Sequence, residues 1–200
     1  MKQLLLLALL LPIFVTAQDF GARATVGLVA SQIDGDKMNG FHKLGYVVGA
    51  DVNRRFSKSW GGQIGLRVIQ KGSASTDEQS FYKAKLNYAE MPVCATFHLK
   101  QMVFEGGLTA GVLVHSLEDV EGYGYAQPAY SFAKFELGSI VGISYRLLQN
   151  IDVTAQFAYS LSRIRPYTSA HSAYMDGGEH NNLLTFAVSY VFADSKILKH

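Results

Sequence analysis

The sequence predicts an all-β fold, a closed barrel of eight antiparallel strands in up-and-down order, on three observations. Eight segments alternate apolar and polar residues with a period of two, which is the side-chain period of a β-strand. The chain of 200 residues holds 11 tyrosines and 12 phenylalanines but only 4 prolines, a composition that favours strands. The connections between the segments are alternately short and long, as in an up-and-down barrel.

Residues 1–17 have the three parts of a secretory signal peptide. Lys2 supplies the positive charge, an apolar run covers 4–15, and a small-residue cleavage site ends at Ala17. The apolar run is shorter than the roughly 20 residues that a spanning helix needs. We therefore expect a barrel domain over 18–192 and a short tail over 193–200, in a protein that leaves the cytoplasm.

The first three segments, 20–31, 43–56 and 60–71, carry an apolar residue at nearly every second position. The fourth, 83–99, alternates regularly only in its second half, because Leu86 and Tyr88 have the parity of its polar residues. A bulge near Glu90, or a position above the membrane, would account for that irregularity.

The fifth segment, 102–115, is the most apolar, and its pair Gly107 and Gly111 also has the spacing of a transmembrane helix-packing motif. Glu105 leaves too short an apolar run for a spanning helix, so we interpret this segment as a strand. The remaining segments repeat the alternation of a strand and complete the series of eight: 135–147, 151–162 and 183–192.

The apolar face of each strand is predicted to contact lipid, because the opposite face mixes charges with glycines. Aromatic residues gather at strand ends on the apolar face, as in the girdles of membrane barrels: Phe56, Trp60, Phe97, Phe104, Tyr145 and Phe192. In such barrels the short turns face the periplasm and the long loops face outward. These features predict a transmembrane barrel in the outer membrane. A soluble ligand-binding barrel, with the apolar face inside, stays open as an alternative.

The chain resembles the PorT-like outer-membrane β-barrels of Bacteroidetes-type bacteria over essentially its whole mature length. The resemblance rests on a small set of segments: "GLVASQIDGD" (27–36), "FHKLGYVVGADV" (41–52), "QKGS" (70–73), "LNYAEMPV" (86–93) and "VSYVF" (188–192). It implies an eight-stranded outer-membrane barrel, and for one namesake of the family a role in assisting protein secretion. The tail after Phe192 departs from the pattern, since such barrels usually stop at the terminal aromatic residue.

Charged residues on the polar face predict a structural ion-pair network inside the barrel. Its expected members are Asp51, Arg67, Glu90, Glu105 and Arg23. We hypothesise that Arg67 lies between Asp51 and Glu90, because a guanidinium can satisfy two buried carboxylates. The pair Glu90 and Glu105 could also perform acid–base chemistry, an alternative to the ion-pair interpretation.

No metal or cofactor site is predicted. The stretch that begins at Asp34 lacks the acidic residues that an EF-hand loop needs at its fifth and twelfth positions. Acidic and histidine side chains of the last loop match no metal-ligand spacing and are expected to be solvated: His171, Asp176, Glu179 and His180. No catalytic residue is expected.

The net charge of +2 gives no basic face for nucleic acid. We expect a structural or interaction barrel, an accessory to secretion or envelope assembly, whose partners are outer-membrane lipid and other envelope or secretion proteins. A barrel enzyme that acts on lipid or peptide through loop or interior residues is the alternative from another class.

Overall fold

The eight predicted strands form one closed antiparallel barrel in the computed structural model, which describes residues 20–36, 38, 40–75, 81–165 and 178–195. In chain order the strands are β1 (Phe20–Asp34), β2 (Lys43–Arg55), β3 (Trp60–Lys71), β4 (Tyr82–Leu99), β5 (Met102–Val120), β6 (Phe135–Leu148), β7 (Ile151–Ser160) and β8 (His180–Ala193). The predicted fold class is therefore confirmed. The predicted signal peptide, 1–17, lies outside the described residues.

Each strand pairs with the strands before and after it, and β1 pairs with β8 to close the sheet. The closing register runs from Ala22 opposite Ala193 to Asp34 opposite His180. Every strand of the barrel consequently has a hydrogen-bonded neighbour on both sides. In the part of the chain that the structure describes, no helix is long and apolar enough to cross a membrane.

The two ends of the barrel differ. At the end that we call the short-turn end, the connections are 56–59, 100–101 and 149–150. At the opposite, long-loop end, the connections are 35–42, 72–81, 121–134 and 161–179. β4 and β5 are the longest strands, with 18 and 19 residues, and their pairing continues to Tyr82 opposite Val120. This hairpin extends past β6, whose pairing with β5 stops at Val112 opposite Phe135.

The apolar face of the strands points outward around the whole barrel. Val48, Leu66 and Val141 are 51%, 70% and 56% exposed, although they lie in the middle of regular strands. Aromatic side chains form a ring on the outer surface at the short-turn end: Phe56, Trp60, Phe97, Phe104, Tyr145, Tyr190 and Phe192. Trp60 and Phe97 pack edge to face within this ring, with 5.1 Å between their centroids. An outward apolar belt beside an aromatic ring is the surface that a lipid bilayer requires.

The expected bulge in the fourth strand lies instead in β5. Leu113 pairs with Tyr88 and His115 pairs with Asn87, so Val114 is the extra residue. β4 alternates regularly, and its Leu86 and Tyr88 side chains are fully buried inside the barrel. Their apparently wrong parity has a physical cause, because the interior at the long-loop end is apolar rather than polar. This core consists of Val29, Ile33, Val47, Ile69, Ala84, Leu86, Tyr88, Cys94, Phe132, Ile140, Ala158, Ile164 and Leu183.

The outward belt gives a first prediction, at Leu108 of β5, which is 52% exposed. At about 3.4 Å per residue and a strand tilt of about 40°, Leu108 lies roughly 15 Å from the short-turn end, near the bilayer midplane. Leu108→Arg should therefore lower the free energy of unfolding by about 2–4 kcal/mol in urea titrations of the protein in liposomes. Leu147→Arg is the matched control, since Leu147 faces outward close to the turn. Equal costs for the two variants would contradict the lipid-facing assignment.

Candidate functional site in the barrel interior

Arg23 organises the polar interior nearest the short-turn end. It lies on β1 directly opposite Asp51 of β2, and its Nε lies 3.2 Å from the Asp51 Oδ2. Its Nη2 donates to Gln63 Oε1 at 2.8 Å and lies 3.6 Å from Glu105 Oε2. Thr25 Oγ1 donates a further hydrogen bond to Asp51 Oδ2, at 3.3 Å. Four strands therefore converge on one buried guanidinium.

A second group of charges lies closer to the long-loop end. Arg67 of β3 faces Glu90 of β4 in the register, with 2.5 Å between Nη2 and Oε2. The Lys71 Nζ lies 2.5 Å from Glu90 Oε1 and 2.7 Å from Glu136 Oε1, and the Lys71 side chain is only 1% exposed. Asn181 Nδ2 donates to Glu136 Oε2 at 2.7 Å. Every one of these buried charges has an oppositely charged partner, as burial requires.

One amide joins the two groups into a single interior network. Gln156 of β7 donates to Glu105 through its Nε2 and accepts from Arg67 Nη1 at 3.4 Å through its Oε1. Beside this amide the remaining cavity measures about 20 Å³, room for roughly one water molecule. Paired side chains therefore fill the interior at this level.

The structure places the five expected interior residues differently from the hypothesis in one respect. Arg67 contacts Glu90, but Asp51 pairs with Arg23 instead of Arg67. The register explains this, because Asp51 lies opposite Gly65 and Arg67 lies opposite Gly49, two residues farther along. A Cβ at Gly65 would lie 2.1 Å from Asp51 Oδ1, so a larger residue there would displace this carboxylate from its present position. The arrangement Asp51–Arg67–Glu90 is thus corrected to two linked groups of charges.

Several contributors to the network are not among its five expected members, and Glu136 and Asn181 are two of them. Glu136 lies on β6, on the glycine-bearing polar face, so its inward direction is readable from the alternation. Its partner Lys71, on β3, is 65 residues away in sequence, and only the barrel's stagger brings the two to the same height. Asn181 lies before residue 183, where the predicted eighth strand begins. The observed strand β8 already begins at His180 and therefore includes Asn181.

A separate group of residues, which we call the long-loop clamp, closes the opposite end of the interior. Arg165 pairs with Glu118 and lies 3.4 Å from Glu179 Oε1. The Tyr82 hydroxyl donates to Glu118 Oε1 at 2.5 Å, and the Arg165 guanidinium lies 3.8 Å from the centre of the Phe132 ring. Residues Phe132, Arg165 and Glu179 of the long-loop connections are thereby held against the extended β4–β5 hairpin. Sequence reasoning missed this group because all of its loop residues come from irregular segments.

Two of the loop residues that were expected to be solvated, Glu179 and His180, instead make contacts within the folded protein. Glu179 belongs to the long-loop clamp, and His180 Nδ1 lies 2.8 Å from the Ser160 carbonyl oxygen. His171 and Asp176 lie outside the described residues. Within the described ranges, no three His, Cys, Asp or Glu side chains gather in a metal-binding arrangement. Cys94 is buried beside the interior network.

Two carboxyl groups at the long-loop end are poorly solvated. Burial raises the pKa of Asp36 to about 6, although hydrogen bonds from Ser73 and the Met38 backbone oppose the shift. Burial also raises the pKa of Glu179, against the attraction of Arg165. Asp36 and Glu179 repel each other, and Asp34 repels Asp36 as well. The ionised forms are therefore disfavoured in the folded loops.

This predicts that connection 35–42 becomes more stable as the pH falls through about 6. A carboxyl group whose folded pKa lies above its unfolded pKa binds more protons when folded, so its contribution to stability is lost as pH rises. Hydrogen exchange of amides around Asp36, corrected for intrinsic rates, should be slower at about pH 5 than at about pH 7.5. Asp36→Asn should remove most of that dependence. A wild-type protection that is flat or rises with pH would contradict the prediction.

Comparison with known proteins agrees with this geometry. A family model described as an outer membrane protein beta-barrel domain matches residues 16–165. Among solved structures, Ail, the attachment invasion locus protein of Yersinia pestis, matches with a TM-score of 0.52 at 12% identity, covering 87% of this chain and 99% of that chain. Ail in complex with the heparin analogue sucrose octasulfate gives a TM-score of 0.52 at 11% identity, covering 87% and 99%.

The Neisserial surface protein A, NspA, matches with a TM-score of 0.46 at 13% identity and covers 86% of this chain and 96% of that chain. No curated protein shows significant sequence similarity to this chain. At identities this low, the two Ail structures show a shared fold alone, whereas the family model covers most of the chain. The chain therefore belongs to the outer membrane protein β-barrel domain family, and its eight-stranded barrel is an outer-membrane protein.

Proposed function

We propose that this protein is a closed, non-catalytic outer-membrane barrel that acts as a structural and interaction protein, an accessory to secretion or envelope assembly. The observation that carries the proposal is the filled interior. Paired charges occupy the middle of the barrel, an apolar core lies above them, and the long-loop clamp covers the core. An eight-stranded barrel has room only for such side chains, which leaves no path for a solute. Contacts with other proteins are then made by the loops and turns at the two ends of the barrel.

The carboxylates considered for catalysis support this assignment through their contacts. Glu90 is bound by Arg67 and Lys71, and Glu105 accepts from Gln156 and faces Arg23. A catalytic carboxylate must reach a substrate, whereas both of these are buried behind the barrel wall. We therefore retain the ion-pair interpretation over the barrel-enzyme alternative.

The surface best suited to a protein partner is the tip of the β5–β6 connection. Tyr123, Tyr125 and Tyr130 are 88%, 40% and 56% exposed. Gly122 and Gly124, on either side of Tyr123, have positive φ angles of 77° and 99°, which turn the chain so that this ring points away from the barrel. Backbone hydrogen bonds in both directions between Glu118 and Ala126 hold the turn in place. Exposed tyrosines on an ordered loop supply contact area at low entropic cost.

The finer assignments belong to the same proposal. We place the short turns in the periplasm and the long loops outside the cell, the arrangement usual for outer-membrane barrels. We also assign the chain to the PorT-like barrels of Bacteroidetes-type bacteria, on the segments that resemble them, and residues 1–17 to a signal peptide. Outer-membrane lipid and a protein of the envelope or secretion machinery are the proposed partners.

The filled interior predicts that the protein does not conduct ions. Purified protein inserted into planar bilayers should give no steady, uniform conductance steps, since paired side chains occupy the cross-section. A known porin, inserted under the same conditions, provides the positive control. Reproducible steps of one size from the wild-type barrel would contradict the closed interior.

The interaction role predicts a protein contact at Tyr123. A photo-cross-linking amino acid placed at position 123 in intact cells should capture an envelope protein. The same residue at Leu108, on the lipid-facing belt, is the control and should capture none. Identical protein adducts at both positions, or none at position 123, would remove this surface from the proposal.

A further inference from the structure

A cavity at the short-turn end is open to the surface and lies outside the features described above. Its volume is about 330 Å³, and residues from strands around the whole mouth line it. We call it the vestibule. Arg23, Gln63 and Thr96 are among its lining residues where it meets the interior network. The paired side chains of the interior network close the inner end of the vestibule. A solute can therefore bind in the vestibule but cannot pass through the barrel.

The charges of the vestibule are divided between two sides. On the side of β6, β7 and β8, Arg146 binds both acidic residues of the lining, Asp152 and Asp194. The Arg146 Nη2 lies 2.9 Å from Asp194 Oδ1, and its Nη1 donates to Asp194 Oδ2 at 3.2 Å. The two carboxylates on this side are therefore already paired with Arg146 and are not available to bind a cation.

The opposite side carries positive charge without carboxylates. Arg55, at the end of β2, donates through Nη2 to the Lys58 carbonyl, and its Nε is buried without a hydrogen-bond partner among the described residues. Lys100, in the turn between β4 and β5, has a φ of 55° and is exposed to the cavity. Within the part of the chain that the structure describes, neither Arg55 nor Lys100 has an acidic partner.

Neutral donors complete this side. Gln101 accepts a hydrogen bond from the Tyr145 hydroxyl at 2.8 Å through its Oε1, which leaves its amide hydrogens available. Asn53 and His98 also line the cavity close to Arg55. Guanidinium, ammonium and amide groups around one space form the donor set that phosphate and carboxylate groups bind, and a guanidinium fork matches either anion.

We propose that the vestibule binds a small soluble anion with a phosphate or carboxylate group. Arg55 and Lys100 make the charged contacts and Gln101 donates a hydrogen bond. The volume of about 330 Å³ is at the low end for small-molecule sites, which fits a compact solute better than a folded partner. The proposed contact residues belong neither to the interior network nor to the tyrosine-bearing loop, so the site goes beyond the proposed function.

The test uses the full chain refolded in detergent micelles and inorganic pyrophosphate as the probe, followed by isothermal titration calorimetry. Wild-type protein should bind one pyrophosphate in a saturable manner. The double variant Arg55→Gln/Lys100→Gln should weaken binding by roughly tenfold or more, because charge-assisted hydrogen bonds are the strong ones. Lys83→Gln/Lys134→Gln is the matched control, since it removes the same charge at the long-loop end, outside the vestibule lining, and it should bind like wild type.

Three outcomes would overturn the proposal: no saturable heat from the wild type, wild-type affinity in Arg55→Gln/Lys100→Gln, or an equal loss of affinity in the control Lys83→Gln/Lys134→Gln. Heat-dependent mobility on gels shows that each variant is folded. Repeating the titration in nanodiscs distinguishes a soluble anion from a lipid headgroup. At a salt concentration high enough to screen the lipid surface charge, equal pyrophosphate affinity in phosphatidylcholine and phosphatidylglycerol discs supports the soluble anion. Loss of binding in phosphatidylglycerol discs that persists at this salt concentration means that headgroups occupy the vestibule, which overturns the assignment to a solute.

Discussion

The pairing of β1 with β8 is the constraint from which the rest of the structure follows. Lipid offers no hydrogen-bond partner to a strand edge, so a sheet that crosses a membrane must close on itself. Closing it with eight strands leaves an interior only as wide as the side chains that fill it. Charged side chains that point inward are then removed from bulk water and must find partners there. The outer face, in contrast, has to be apolar over the height of the bilayer.

The interior network satisfies this demand through long-range pairs. Lys71 on β3 reaches Glu136 on β6, and Arg23 on β1 reaches Glu105 on β5, so these contacts cross the barrel between strands that are not neighbours. Removing one member of a buried pair leaves the other charge buried without a partner, which typically lowers the free energy of unfolding by about 3–5 kcal/mol. A register slip of one residue would turn the paired side chains toward lipid. The network is therefore a physical reason for one register and one strand order.

The sequence alone predicted the strand number, the outward face and the alternation of short turns and long loops, because each depends on local periodicity. It also predicted which charges point inward, but not which charges meet. Asp51 pairs with Arg23 rather than Arg67 because it lies opposite Gly65, two residues from Arg67, and the stagger of strands is not a local property of the sequence. The apolar core around Tyr88 was misread as a defect of β4. The long-loop clamp and the vestibule are formed by loops, turns and strand ends. These segments have no regular alternation from which side-chain positions could be predicted.

The most direct test of the paired interior is a double-mutant cycle on Lys71 and Glu136. Lys71→Met and Glu136→Gln should each lower the free energy of unfolding, Lys71→Met by about 3–5 kcal/mol, because each leaves a buried charge less compensated. The double variant should cost less than the sum of the two, by about 1–3 kcal/mol, since residues in one ion-pair network are energetically coupled. Additive costs, or a Lys71→Met no more destabilising than the exposed control Lys58→Met, would contradict a barrel held in register by buried charge pairs.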